Sequence, residues 1–218
     1  MAASRKPSTI FACQACGYQS PKWLGKCPGC AAWNTMAEER LAREPAAPGG
    51  RPAWLSSRPK RLTEISDAPS DARLCTGIGE FDRVMGGGIV AGSVTLIGGD
   101  PGIGKSTLLL EAMNRISQRA GTVLYVSGEE SQAQIRLRAE RMGIDAKELY
   151  IQSETSFDEI MAAAKQLQPK AIVIDSIQTM YMSQLTSAPG SVGQIRETAA
   201  ALMGAAKQSE TPVLLVGH

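Results

Sequence analysis

Gly99, Asp100, Pro101, Gly102, Ile103, Gly104, Lys105, Ser106 and Thr107 are consecutive, and from Gly99 to Ser106 they fit the phosphate-loop pattern Gly-x-x-x-x-Gly-Lys-Ser/Thr. The pattern has chemical content. A triphosphate carries several negative charges, which a lone side chain holds poorly. Glycines let successive backbone N–H groups turn inward, and a following helix adds the partial positive charge of its N-terminus. Lys105 then reaches the β- and γ-phosphates, and Ser106 offers a hydroxyl to Mg²⁺. The motif needs a strand before it and a helix after it. Ser93 to Ile97 is a short β-rich apolar run, and Thr107 begins a run of helix formers.

Two acids and a histidine complete a candidate hydrolytic set. Ala171 to Ile174 are apolar and are closed by Asp175. That is the form of a Walker B strand, whose carboxylate orients the Mg²⁺ shell. Hydrolysis also needs a group that orients or deprotonates water. Glu129 and Glu130 follow an apolar run at 123–127. In a parallel sheet they sit at the carboxyl edge, where nucleotides bind. Glu129 is the expected base and Glu130 the competing assignment. His218, the only histidine, leaves the last apolar run at the same edge and is a candidate γ-phosphate sensor.

A second chemistry lies near the N-terminus. Cys13, Cys16, Cys27 and Cys30 form two C-x2-C knuckles ten residues apart. Such knuckles place four thiolates around Zn²⁺, and four protein ligands make a structural rather than a catalytic site. A redox pair or an iron–sulfur site is the alternative. Tyr18, Trp23 and Trp33 have two readings, stacking on nucleic-acid bases or packing a mini-core around the metal, and packing is the expectation for Trp33. Lys22, Trp23 and Lys26 between the knuckles are the better candidate contact surface. Cys75, far away, is expected to be a small buried or half-buried residue.

The elements that must position these groups follow from pattern. Strands are expected at 94–98, 123–127, 149–151, 171–175 and 212–217, with helices at 106–120, 131–142, 157–167 and 193–209. Apolar strands alternating with helices indicate a parallel α/β sheet covered on both faces. Three segments result: a finger at 8–36, a Pro/Gly/Ala/Arg-rich linker at 37–60, and an α/β domain at 61–218. Residues 1–60 hold nine Lys/Arg against three Asp/Glu, and residues 61–218 hold fourteen against eighteen. A basic arm on a mildly acidic body is compatible with nucleic-acid contact and equally with a solvated tail. No apolar run approaches the roughly 20 residues of a membrane span. The N-terminus has no apolar signal core, so a cytoplasmic setting is expected, where thiols stay reduced.

Taken in order, the motifs resemble a known family. The finger is followed by Thr76 to Gly88 with its Gly86–Gly88 triplet, then Gly98 to Thr107, Tyr125 to Ser131, Ile174 to Thr179, Ser191 to Glu197 and Val216 to His218. This series resembles the bacterial RadA (Sms) DNA-repair proteins over nearly the whole chain. The resemblance implies a RecA-like P-loop ATPase core with a largely parallel sheet, preceded by a small zinc-ribbon-like finger. It implies that the last strand lies between the phosphate-loop and Walker B strands. It matches Glu129 to the family's glutamate after the second strand, and His218 to a polar residue that ends the motif III strand. It further implies ATP as substrate with Mg²⁺, and DNA-dependent hydrolysis in recombinational repair. Branch migration on single-stranded DNA and branched recombination intermediates, a RecA-type recombinase as partner, and a homo-oligomer, a hexamer at full length, belong to the same picture. Family members continue with a Lys-Asn-Arg-Phe-Gly motif, DNA-contacting loops and a Lon-like domain. This chain stops on leaving a strand, so a C-terminally incomplete core with little turnover and no stable ring is expected. The other readings are a KaiC-like signalling ATPase and an inactive fragment that binds zinc and nucleotide.

Overall fold

Central strands that are apolar up to their last residue cannot face water on either side, so helices must cover both faces. In the computed structural model, which describes residues 9–40, 59, 61, 63, 73–185 and 187–218, this is what the chain does. Five parallel strands, β4 (Val94–Gly98), β5 (Val123–Ser127), β6 (Leu149–Ser153), β7 (Ile172–Asp175) and β8 (Val213–Gly217), make one sheet in the order β4-β8-β7-β5-β6. The last strand in sequence thus lies between the phosphate-loop strand and the Walker B strand, as the resemblance implies.

Alternate strand residues divide between two apolar layers. Val123, Tyr125, Val173, Leu214 and Val216 pack with Leu109, Leu110, Met113 and Ile116 of helix α2 (Lys105–Ala120) and Ile135 of α3 (Gln132–Arg141). Leu124, Val126, Ile172, Ile174, Val213 and Leu215 pack with Ile160 and Ala164 of α4 (Phe157–Leu167) and Leu202 and Ala206 of α5 (Val192–Ser209). Element bounds move by a residue or two from the sequence expectation. At α3 the reason is visible: Ser131 stays outside the helix and closes a capping box with Gln134.

One helix was not expected. The six-residue α1 (Gly79–Val84) buries none of its own residues. It is held by its Asp82 carboxylate, which accepts from Thr76 N at 2.9 Å, Thr76 Oγ1 at 2.8 Å and Gly77 N at 2.8 Å. Burial opposes ionisation of Asp82, yet these donors hold its carboxyl below the usual range.

The N-terminal region is a separate three-stranded antiparallel sheet, β2-β1-β3, made of β1 (Thr9–Cys13), β2 (Gln19–Ser20) and β3 (Met36–Arg40). Its interior is small: Cys13, Cys27 and Met36, with Phe11 and Leu24 against them. Strand β3 carries this sheet to Arg40, past the expected boundary at 36, because residues 37–40 pair with β1. Apart from those residues and Pro59, the linker lies outside the described residues.

Candidate functional site

The chemistry gathers where four strands end. Gly98 of β4 pairs with Gly217 of β8, and Asp175 of β7 with Ser127 of β5, so the groups that follow those strands emerge along one edge. The phosphate loop leaves β4 and enters α2. Gly104, the N-cap of α2, has φ of 99°, a left-handed angle that a side chain resists, and this lets the loop turn directly into the helix. Within the loop Asp100, Pro101, Gly102 and Ile103 are exposed, Ser106 is half-buried and Thr107 exposed. Lys105 is buried and folds over the loop, where its Nζ donates to Gly99 O at 2.6 Å and Asp100 O at 2.9 Å. These carbonyls occupy donors that an anion in the loop would attract more strongly.

Asp175 is buried, and Tyr125 Oη donates to its Oδ2 at 2.5 Å. The same phenol lies 3.4 Å from Ser106 O and receives Arg138 Nη2 at 3.4 Å. Burial, with the neighbouring carboxylate, pushes the Tyr125 hydroxyl far above its ordinary range, so it stays a donor.

The two adjacent glutamates have different surroundings. Glu129 Oε1 accepts from Ser176 Oγ at 2.5 Å and lies 3.2 Å from His218 Nε2. The Ser176 hydroxyl, then His218 and Lys105, hold its carboxyl below the usual carboxylate range. Glu130 instead pairs with Arg138 Nη1 at 2.7 Å. Ser127 Oγ accepts from both amides, Glu129 N at 3.3 Å and Glu130 N at 3.0 Å, and so fixes the turn that parts them. The turn also needs the absent side chain of Gly128: a Cβ there would lie 2.1 Å from Thr179 Oγ1.

Lys105, Asp175, Glu129 and His218 therefore share one edge. Sequence reasoning missed Ser176, Tyr125 and Arg138. Ser176 had a signal, since it directly follows the Walker B acid. Tyr125 had another, a hydroxyl inside an otherwise apolar strand, which needs a buried partner. Arg138 had none, because only folding brings α3 over Tyr125. A groove of about 940 Å³ between α4 and α5, lined among others by Ile160, Gln168, Leu202 and Glu210, opens at the opposite end of the strands and holds none of these groups.

The four knuckle sulfurs lie within 4.8 Å of one another, with Cys13–Cys30 at 3.7 Å and Cys16–Cys27 at 3.5 Å. A tetrahedron with Zn–S of about 2.3 Å has edges of about 3.8 Å, so the spacing fits. Cys13 and Cys16 are pushed in opposite directions. The Thr35 hydroxyl lowers Cys13 to about 6. At Cys16 the Tyr18 amide lowers, but burial and the other thiols prevail and push it to about 12. Four clustered thiolates repel one another, and a divalent cation removes that conflict.

Two expectations are corrected. Trp33 does not pack the mini-core: it is 69% exposed, because Phe11, Leu24 and Met36 already fill so small an interior. Cys75 is exposed rather than buried, and its thiol donates to Gly87 O at 3.3 Å.

Fold and phosphate loop together define a P-loop protein of RecA-like architecture. The chain belongs to the family described as AAA domain, whose model matches residues 59–218, and a rubredoxin metal binding domain matches residues 11–38. It is similar to the DNA repair protein RadA of Bacillus subtilis (50% identical over 218 residues, 98% of this chain) and of Pseudomonas aeruginosa (48% over 215 residues, 98% of this chain). The resemblance drawn from the motifs is thereby borne out. The chain spans about half the length of the curated relatives it matches, 47% of each of these two. Among the described residues no helix is long and apolar enough to cross a membrane.

Proposed function

We propose that this chain binds ATP with Mg²⁺ at the carboxyl edge of its sheet and serves an ATP hydrolase of DNA repair. The observation that carries this reading is Glu129. Its Oε1 is held by Ser176, which follows β7, and by His218, which follows β8, on the same edge as Lys105 and Asp175.

In this reading the amides of Gly99 to Thr107 cradle the phosphates. Lys105 exchanges the Gly99 and Asp100 carbonyls for β- and γ-phosphate oxygens. Ser106 and Asp175 would hold Mg²⁺, which when bound neutralises phosphate charge. Tyr125 occupies Oδ2 of Asp175 and so fixes that carboxylate. Glu129 is ionised at neutral pH and has both contacts on Oε1, so its other oxygen accepts the proton of an attacking water. The water oxygen bonds to the γ-phosphorus, the bond to the β–γ bridging oxygen breaks, and ADP and phosphate leave. His218 touches the same Glu129 oxygen and couples it to the γ-phosphate. Cys13, Cys16, Cys27 and Cys30 would hold a structural Zn²⁺ that folds the ribbon.

The relatives are named DNA repair proteins. From them and the family resemblance we extend to this chain a DNA-dependent activity on single-stranded DNA and branched recombination intermediates. A RecA-type recombinase partner, hexameric assembly at full length, a cytoplasmic setting and the expected division of the chain into finger, linker and ATPase domain belong to the same reading. The test is phosphate release with and without single-stranded DNA, from this chain and from the longer protein. DNA-stimulated turnover that Glu129→Gln abolishes while ATP still binds is expected. Turnover indifferent to DNA would return the reading to a KaiC-like signalling ATPase.

A further inference from the structure

The ribbon leaves its aromatic side chains outside its core. Trp33 is 69%, Trp23 54% and Tyr18 40% exposed. The indoles are not scattered. Both approach Gly25, where a Cβ would lie 3.5 Å from Trp23 Cη2 and 3.9 Å from Trp33 Cζ3. The two rings therefore border one spot on the surface, and the residue between them presents no side chain. Lys26 places its Nζ 5.6 Å from the centroid of Trp33. Lys22 and Lys26 are the only charged residues from Gln14 to Met36. The composition of the face is informative as well. Among the described residues of the ribbon, every large exposed apolar side chain is aromatic and the accompanying charges are lysines, a residue that protein interfaces are depleted in.

We propose that Trp23, Lys26 and Trp33 form a stacking platform for the bases of single-stranded DNA. The proposal rests on the DNA reading above and names a face for it. Each base offers a π-face of the same kind, so an indole takes any of them, and a nearby ammonium meets the adjoining phosphate. A duplex hides those faces in its own stack, so the platform selects unpaired strands. A protein partner would need carboxylates opposite both lysines and aliphatic contacts that this face does not offer.

The test uses the zinc-loaded chain, an oligothymidylate and a duplex of equal length. Tryptophan emission should be quenched by the single strand and far less by the duplex. Trp23→Ala and Trp33→Ala should each weaken binding by about five- to a hundredfold. Trp33→Tyr should retain most of the affinity, and Lys26→Gln should lower the salt dependence by about one phosphate contact. Zinc content, measured on every variant, shows that the ribbon remains folded. Wild-type binding that survives both alanine changes overturns the platform and leaves the face to a protein partner. A wild-type chain that binds no oligothymidylate overturns the DNA reading along with it.

Discussion

The ribbon at 9–40 and the α/β core at 73–218 reach a folded state by different routes. The core buries two apolar layers, one on each face of the sheet, and some of its largest side chains, such as Leu109, Met113 and Ile174, are fully enclosed. Among its described residues the ribbon encloses only Ala12, Cys13, Ser20, Cys27 and Met36. An interior of that size cannot offset the entropy of ordering its chain. One region is held by exclusion of water and the other requires a metal. Pattern reading therefore finds the core through periodicity and the ribbon through ligand spacing.

Removal of metal should separate the two most sharply. Structural zinc in such peptides contributes about 10–16 kcal/mol at neutral pH. Chelation, or Cys13→Ala, should unfold β1–β3 and leave amide-exchange protection in β5, β7 and β8 unchanged. A core that melts together with the ribbon would erase the distinction.

The next largest effect falls on chemistry rather than folding. In the longer protein Glu129→Gln should reduce ATP turnover by about 10²- to 10⁴-fold with nucleotide affinity and melting temperature preserved, because the amide is nearly isosteric and only weakly basic. Glu130→Gln should instead loosen the Arg138 pair and spare turnover. An inverted result would exchange the roles of the two glutamates.

Leu109→Ala should cost the core about 2–5 kcal/mol and leave zinc content untouched, read by denaturant melts beside metal analysis. Lys105→Ala should be smaller, weakening ATP by about 1.5–3 kcal/mol without unfolding either region. Unchanged affinity in calorimetric titration would remove Lys105 from the phosphate site.

The smallest effect is a shift in pH dependence. The Ser176 hydroxyl is the largest influence holding the Glu129 carboxyl down. Ser176→Ala should therefore raise that pKa, and the acid limb of the turnover profile should move to higher pH. The sign follows from protonation: a carboxylate held low stays ionised further into acid, and loses that advantage with its donor. A limb that stays in place would mean that Glu129 does not set it.

The central strands β5, β7 and β8 were legible because each is apolar up to a final polar or glycine residue. The phosphate loop, Asp175 and the cysteine knuckles were legible because their chemistry demands fixed spacing in a single segment. Helix α1 was not, since it sets only Phe81 against the core and depends on Asp82 reaching back to Thr76 and Gly77. Trp33 was misjudged because a tryptophan suggests burial, and only the folded ribbon shows how little interior there is to enter.

The sequence by itself determined which segments of the core beyond residue 93 are strands and helices, where a phosphate loop stands and where four thiols can converge. These are local properties, carried by periodicity and by neighbours a few residues apart. Tertiary structure decided how the two glutamates are held, Glu129 by Ser176 and His218 and Glu130 by Arg138. Ser176 lies 47 positions from Glu129 and His218 lies 89, and both meet it because β7 and β8 stand between β5 and the phosphate-loop strand. Separations of that kind are closed by strand order, which the packing of two helical layers onto one parallel sheet imposes.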